Sequence, residues 1–340
     1  MMNITELQTA LAAMYGPAGR EMIAVKAPRQ SALEGIRALA EPYADEICSD
    51  AMGNLIARKA GGGKKIMLCA HMDTIGLIVT HIEEGGFLRF ASLGGVNPHR
   101  LLDTLVVFPD GTKGVVAWER GKEIDKLTLD KLYIDIGAAS REDAQTHVKV
   151  GDAAVFDART FAQNGRLFST YLDDRIGCAV LLQALARVKA PKNDLYFVFS
   201  TQEEVGIRGA GPAAFGIMPD YCIAVDVTLT GDVPEPGAKL HMKLGGGAAV
   251  KHADSSVICH PRAVRWLEDA ARSNNIPFQV EVLIGGGTDT SVIQRTGLGT
   301  VAGAVSIPSR CVHGVTEIAD LGDLAACVDL ICAAVNVELP

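Results

Sequence analysis

No stretch of this 340-residue chain stays apolar for the roughly 18 residues that a membrane-spanning helix needs. The first residues, MMNITELQTALAAMYGPAGRE, have no basic segment followed by an apolar core, so no secretory leader is expected. A basic excess is also missing. Lysine and arginine number 32 against 40 aspartate and glutamate, a formal charge of -8, which argues against a general binder of nucleic acid or anionic membrane. Charged residues make up only 21% and hydrophobic residues 48%, too little charge and too much apolar content for a disordered chain. No CxxC pair occurs among the eight cysteines (48, 69, 178, 222, 259, 311, 327, 332). Several sit in apolar runs where reduced thiols are common, so a cytoplasmic, reducing setting is expected. There is no internal repeat.

What is present is enough chain for two domains, or for one large domain with an insertion. Residues 4–40 read as helical, broken at Pro28, and residues 46–58 as β-rich. KKIMLCA (64–70) reads as a buried strand that ends at His71. From 77 to 165 alternating runs take over, such as GLIVTHI, TLVVF and KGVVAWE, with Pro109-Asp110-Gly111 as a hairpin turn. Only a short polar piece near 141–147 could be helical there. After 166, helix and strand alternate: a helix at 175–188, strands at 195–200 and 221–227, a helix at 262–275, and a strand at 279–284. A strand at 300–307, stopped by Pro308, and a helix at about 320–337 complete the order. The stretch 236–261 shows no regular pattern. This alternation predicts an α/β fold with a mostly parallel sheet. Residues 1–76 and 166–340 would form it, interrupted by a small all-β domain over 77–165.

Ligands of open α/β sheets bind beyond the carboxyl ends of the strands. The first strand ends in His71-Met72-Asp73, and YFVFS ends in Thr201-Gln202-Glu203-Glu204. YCIAV ends in Asp226. The 300–307 strand leads into Ser309-Arg310-Cys311-Val312-His313, and Asp173-Asp174-Arg175 precedes the 175–188 helix. Taken singly, each has a plainer reading as a hydrogen-bonded pair, a helix start or a turn. Together they supply what a two-metal hydrolase needs: histidines, a carboxylate to bridge two divalent ions, and an unligated carboxylate beside the water as general base. Adjacent Glu203 and Glu204 leave a strand end in different directions and suit that division. His81, His99, His147, His241, His252 and His260 join no strand-end carboxylate and read as surface or structural. GGGTDT (285–290) reads either as an anion-binding helix start or as a tight turn with Asp289 at the start of a helix.

AHMDTIG (70–76), YLDDRIGC (171–178), STQEEVGIRGA (200–210), AVDVT (224–228), GGGTDT and SIPSRCVHG (306–314) occur in the order found in metallopeptidase family forty-two. The chain resembles the tetrahedral, or TET-type, aminopeptidases over nearly all its length; some members of that family carry an endoglucanase label. The resemblance implies a dinuclear metallo-aminopeptidase with two divalent ions, zinc or cobalt. It implies Asp173, rather than Asp174, as bridging ligand, His71 and Asp226 on one metal, and Glu204 and His313 on the other. Glu203 would be the general base and Asp73 the carboxylate that orients the site. The inserted β domain would be a dimerisation domain, and dimers would assemble into hollow tetrahedral dodecamers that take peptides with a free N-terminus. Three places depart from the family pattern: Thr74 where a Glu is common, Cys311 where an aromatic is common, and residues 94–104. Competing functions are a related di-metal carboxypeptidase or N-deacylase, or a non-catalytic assembly scaffold. A glycosidase needs two opposed carboxylic groups and no metal, which fits the histidines poorly.

Overall fold

Four apolar runs make the centre of the fold. The strands Asp194–Ser200, Lys65–His71, Tyr221–Leu229 and Val301–Arg310 lie side by side in that order, all parallel. Their side chains alternate between two apolar layers. From Lys65–His71, Ile66, Leu68 and Ala70 join one cluster with helices Leu172–Arg187 and Leu321–Val335. Met67 and Cys69 join the opposite cluster with Ala210, Ala214 and Ile217 of helix Ala210–Ile217. A strand covered on both faces needs apolar side chains at every position, hence the unbroken run IMLCA. Each fully buried aliphatic side chain contributes roughly 1.5–3 kcal/mol. Because the four strands share a direction, their carboxyl ends meet at one edge, with His71 opposite Ser200 and Asp226 opposite Ser306.

This computed structural model describes residues 2–121, 124–235 and 239–339. Among them the large sheet is mixed, not mostly parallel as the alternation predicts. Leu55–Lys59 and Glu46–Ser49 extend one edge antiparallel, and Glu317–Asp320, Arg166–Ser169 and Thr160–Gln163 extend the other. Periodicity reports which face a strand buries but not its direction, so these edges read no differently from the centre. Pro308 does not stop its strand. It falls between the segment paired with Ala248–Ala253, which ends at Ser306, and the segment paired with Glu317–Asp320, which begins at Ser309. A strand tolerates the missing N–H in such a gap.

Other expectations need smaller changes. The helical reading of 4–40 resolves into Ile4–Ala12 and Ala32–Ala40 around a loop segment. Residues 236–238 of the stretch 236–261 lie outside the described residues, and its remainder contains the strand Ala248–Ala253. In Leu172–Arg187, Asp173 and Asp174 are not helical, so regular turns begin at Arg175. Leu324, Val328, Ile331 and Val335 of the final helix are all buried.

Six strands, Gly76–Ile82, Leu88–Leu93, Leu105–Val107, Lys113–Trp118, Leu132–Asp135 and Ala153–Phe156, close into a separate barrel. The hairpin turn at Pro109-Asp110-Gly111 joins two of them, with Val107 opposite Lys113. Leu77, Val79, Phe90, Val106, Val116 and Ile134 fill its interior, as alternation requires of a small barrel. Thr160–Gln163, read as part of the β block, instead pairs with Arg166–Ser169 in the large sheet. No helix among the described residues is long and apolar enough to cross a membrane.

Candidate metal centre

The strand ends carry the chemistry. His71 closes Lys65–His71 with its ring buried. Its Nδ1 lies 3.1 Å from the Asp73 carbonyl oxygen. A carbonyl can only accept, so Nδ1 carries a proton and Nε2 is the ring nitrogen turned toward the carboxylates. Nε2 is 3.1 Å from Asp173 Oδ1, 3.9 Å from Glu203 Oε2 and 4.0 Å from Asp226 Oδ1. The other oxygen of Asp173 is 3.1 Å from His313 Nε2, which is itself 3.4 Å from Glu204 Oε2. One carboxylate thus lies between two imidazoles.

Asp73 serves two neighbours. Oδ1 is 3.6 Å from His71 Nδ1 and accepts the Glu203 amide at 3.0 Å, while Oδ2 accepts the Glu204 amide at 3.2 Å. Asp226, on Tyr221–Leu229, accepts its neighbour's amide, Val227 N, at 2.7 Å. Asp174 does not line the cavity that Asp173 lines. Its oxygens accept the amides of His71 and Gly177, each at 3.1 Å, so it caps the helix and holds the end of the His71 strand. The seven residues singled out in the sequence therefore lie together.

One neighbour, Glu317, carries no sequence signal. Glu317 accepts the amides of His313 at 2.7 Å and Asp173 at 3.0 Å, tying together two loops that are 140 residues apart. Asp289 does stand at the start of a helix, Thr290–Gln294, but its side chain makes no cap there. It accepts Ser200 Oγ at 2.5 Å and Cys69 Sγ at 3.2 Å beneath the site. The remaining histidines are elsewhere: His260 caps Pro261–Ser273 through Arg262 N, and His252 pairs with Glu268.

Burial and crowding shift the charges. Burial pushes Glu203 upward, and burial together with the Asp173 charge pushes Glu204, Asp226 and Glu317 each up to about 8. Burial favours a neutral Asp173, but hydrogen bonds to His313 and His71 outweigh it and hold the carboxyl well below the usual range. Burial lowers His313, yet Asp173 and Glu204 push it up to about 10. None of these carboxylates pairs with a lysine or arginine among the described residues. Glu204 Oε1 is buried without a hydrogen-bond partner. Negative charge crowded in this way suits a divalent cation, and imidazole with carboxylate is a donor set for zinc-like ions. Two groups have ligand atoms close enough to share an ion, His71 with Asp173 and Glu204, and His71 with Asp174 and Asp226.

A cavity of about 520 Å³ opens on these residues. Asp173, Glu203, Glu204, Asp226 and His313 line it together with the apolar Val227, Leu229, Leu283 and Ile284. Lys251 also lines it, but its ammonium is taken up by Glu281 at 2.6 Å and Asp254 at 3.1 Å. The barrel contributes a loop. A Cβ on Gly94 would stand 2.9 Å from Glu204 Oε2, and one on Gly95 would stand 2.7 Å from His313 Nδ1. Only glycine allows that loop to lie against both side chains. Thr74, one departure from the family pattern, is buried and bonds Gly16 O through its amide at 3.1 Å. Cys311 is exposed, and its carbonyl accepts Arg100 Nη1 at 3.4 Å.

The family model described as M42 glutamyl aminopeptidase matches residues 53–330. A protein of Acetivibrio thermocellus, provisionally assigned as an aminopeptidase, is 49% identical over 86% of this chain and 88% of its own length. The structure of aminopeptidase APDkam598 from the archaeon Desulfurococcus kamchatkensis superposes with a TM-score of 0.91 at 36% identity, covering 98% of this chain and 94% of that one. The Pyrococcus horikoshii TET1 peptidase, described as able to assemble into a tetrahedron or a large octahedral shell, gives a TM-score of 0.85 at 32% identity. That match covers 98% of this chain and 99% of that one.

Proposed function

This chain belongs to the M42 glutamyl aminopeptidase family and is a peptide hydrolase, and from that premise we propose that it is a metal-dependent aminopeptidase that removes N-terminal residues from peptides. The observation that carries the reading is the Asp173 carboxylate, 3.1 Å from Nε2 of both His71 and His313. Two divalent ions would be held here, one by Asp173 with His71 and Asp226 and the other by Asp173 with His313 and Glu204. Asp174 is left out because it does not line the cavity and both its oxygens accept backbone amides that hold the His71 strand end and the helix start. Zinc or cobalt bound there supplies Lewis acidity toward the water and the scissile carbonyl.

The chain's own residues do the rest. Glu203 lines the cavity without being needed as a ligand. It takes a proton from the water as the water oxygen bonds to the carbonyl carbon, then passes that proton to the amine nitrogen as the C–N bond breaks. Burial, by raising its pKa, suits it to hold a proton between the two steps. Asp73 keeps His71 and the Glu203–Glu204 backbone in place. The substrate's free α-amine lies beside the carboxylates of the centre, which makes the enzyme an exopeptidase.

The barrel serves as the dimerisation domain, and dimers build a tetrahedral dodecamer. Exposed apolar side chains on the larger unit support self-association, among them Phe215, Ile258, Ile284 and Leu298. The cytoplasm is the proposed compartment, in keeping with eight free cysteines, of which Cys69, Cys178, Cys222, Cys259 and Cys327 are buried.

An aminoacyl-p-nitroanilide panel (Glu, Asp, Leu, Ala, Lys, Arg), each with and without an N-acetyl block, tests the reading after zinc or cobalt loading. Cleavage of unblocked substrates alone is expected. Cleavage of blocked substrates would move the assignment to an N-deacylase, and no cleavage despite bound metal would favour a carboxypeptidase or a scaffold.

A further inference from the structure

The turn that carries Glu203 and Glu204 is held by two carboxylates from outside it. Asp73 takes the amides of Glu203 and Glu204. The second is Glu21, in the loop between the first two helices, 2% exposed. Its Oε1 accepts Gln202 N at 3.0 Å and Gly19 N at 2.9 Å. Gln202 has φ 55, the left-handed region that a residue with a side chain avoids unless its surroundings impose it. Glu21 is itself fixed from both sides. Its carbonyl accepts Leu33 N at 3.1 Å, and the loop before it docks on the His71 strand end, with Ala18 N donating to Thr74 O at 3.0 Å and Thr74 N to Gly16 O at 3.1 Å.

We propose that Glu21 is a positioning residue for the catalytic turn: by accepting the Gln202 amide it keeps Gln202 left-handed, and so aims Glu203 at the cavity and Glu204 at His313. The inference rests on the roles given above to Glu203 and Glu204. Without that acceptor, the half-buried Gln202 amide loses its protein partner, and Gln202 relaxes toward ordinary φ values. Rotation there swings the next two side chains, which form no hydrogen bond or ion pair with Glu21 among the described residues. The hydrogen-bond acceptor matters, not the charge, because both partners are neutral backbone amides.

The test compares Glu21→Ala and Glu21→Gln in the full-length, metal-loaded enzyme on an unblocked aminoacyl-p-nitroanilide that the native enzyme cleaves. The alanine variant should lose kcat by about 10- to 100-fold, the usual effect of removing an outer-shell partner, with KM nearly unchanged. The glutamine variant, whose amide oxygen still accepts, should keep most of the native kcat. If the alanine variant does not fold, Glu21→Asp, which withdraws the oxygens by one methylene, should show the same loss in kcat. Native kcat in the folded alanine or aspartate variant overturns the inference. So does an equal loss in Glu21→Ala and Glu21→Gln, or a loss confined to KM. Glu203→Gln run beside them separates the two readings: if it stays active, the base assignment fails; if it is inactive while Glu21→Ala is native, only the Glu21 inference fails.

Discussion

Glu203→Gln is expected to bind zinc or cobalt as the native enzyme does and to lose kcat by about 10²- to 10⁴-fold, the range over which a positioned proton-transfer group acts. The amide has nearly the same shape, and the Glu203 backbone stays held by Asp73, so the cavity is preserved. It cannot take a proton from water or return one to the leaving amine. The loss should appear in kcat more than in KM, because the group acts in the transition state and not in ground-state binding. Glu203 Oε2 is 3.9 Å from His71 Nε2, beside the proposed ligands and not between them. Metal content measured by elemental analysis, together with steady-state kinetics on one unblocked substrate, checks both halves. Loss of metal would make Glu203 a ligand; near-native turnover would remove it as the base.

Asp173→Asn should have the opposite signature: metal is lost together with activity. Asp173 is the one carboxylate shared by both imidazoles, so its neutral amide weakens both metal sites at once. The affinity should fall by more than the roughly 10- to 100-fold that loss of an outer-shell partner costs. Removing this carboxylate also takes away the anion that the buried His71 and the half-buried His313 face at 3.1 Å each. Equilibrium dialysis against zinc, followed by elemental analysis, reads the loss directly. A variant that keeps its full metal complement would rule out the bridging role and point instead to Asp174, which lies with His71 and Asp226 in a second possible ligand group.

Most of the candidate site was legible in the sequence because the chemistry hangs on buried central strands. A strand covered on both faces is an unbroken apolar run, and the first polar residues after it stand at the sheet edge: His71 and Asp73, Glu203 and Glu204, Asp226. Those ends meet at one edge because the central strands run parallel, as the alternation of helix and strand led one to expect. At the flanking strands the mostly parallel expectation failed, because an antiparallel partner such as Leu55–Lys59 alternates like any half-buried strand. Glu317 and Glu21 were invisible for another reason. Each acts by accepting backbone amides from residues far away in the chain, Asp173 and Gln202. An amide donor has no residue type, so no spacing or motif announces it. Gly94 and Gly95 are similar: the need for them arises only where the barrel loop meets Glu204 and His313.

The central claim is tested most directly by stripping the protein with a chelator and titrating zinc or cobalt back while following cleavage of an unblocked aminoacyl-p-nitroanilide. The account predicts no turnover in the stripped protein and full recovery as both metal sites of each subunit fill. Full turnover in the presence of the chelator would contradict it, and so would recovery complete at a single equivalent per subunit.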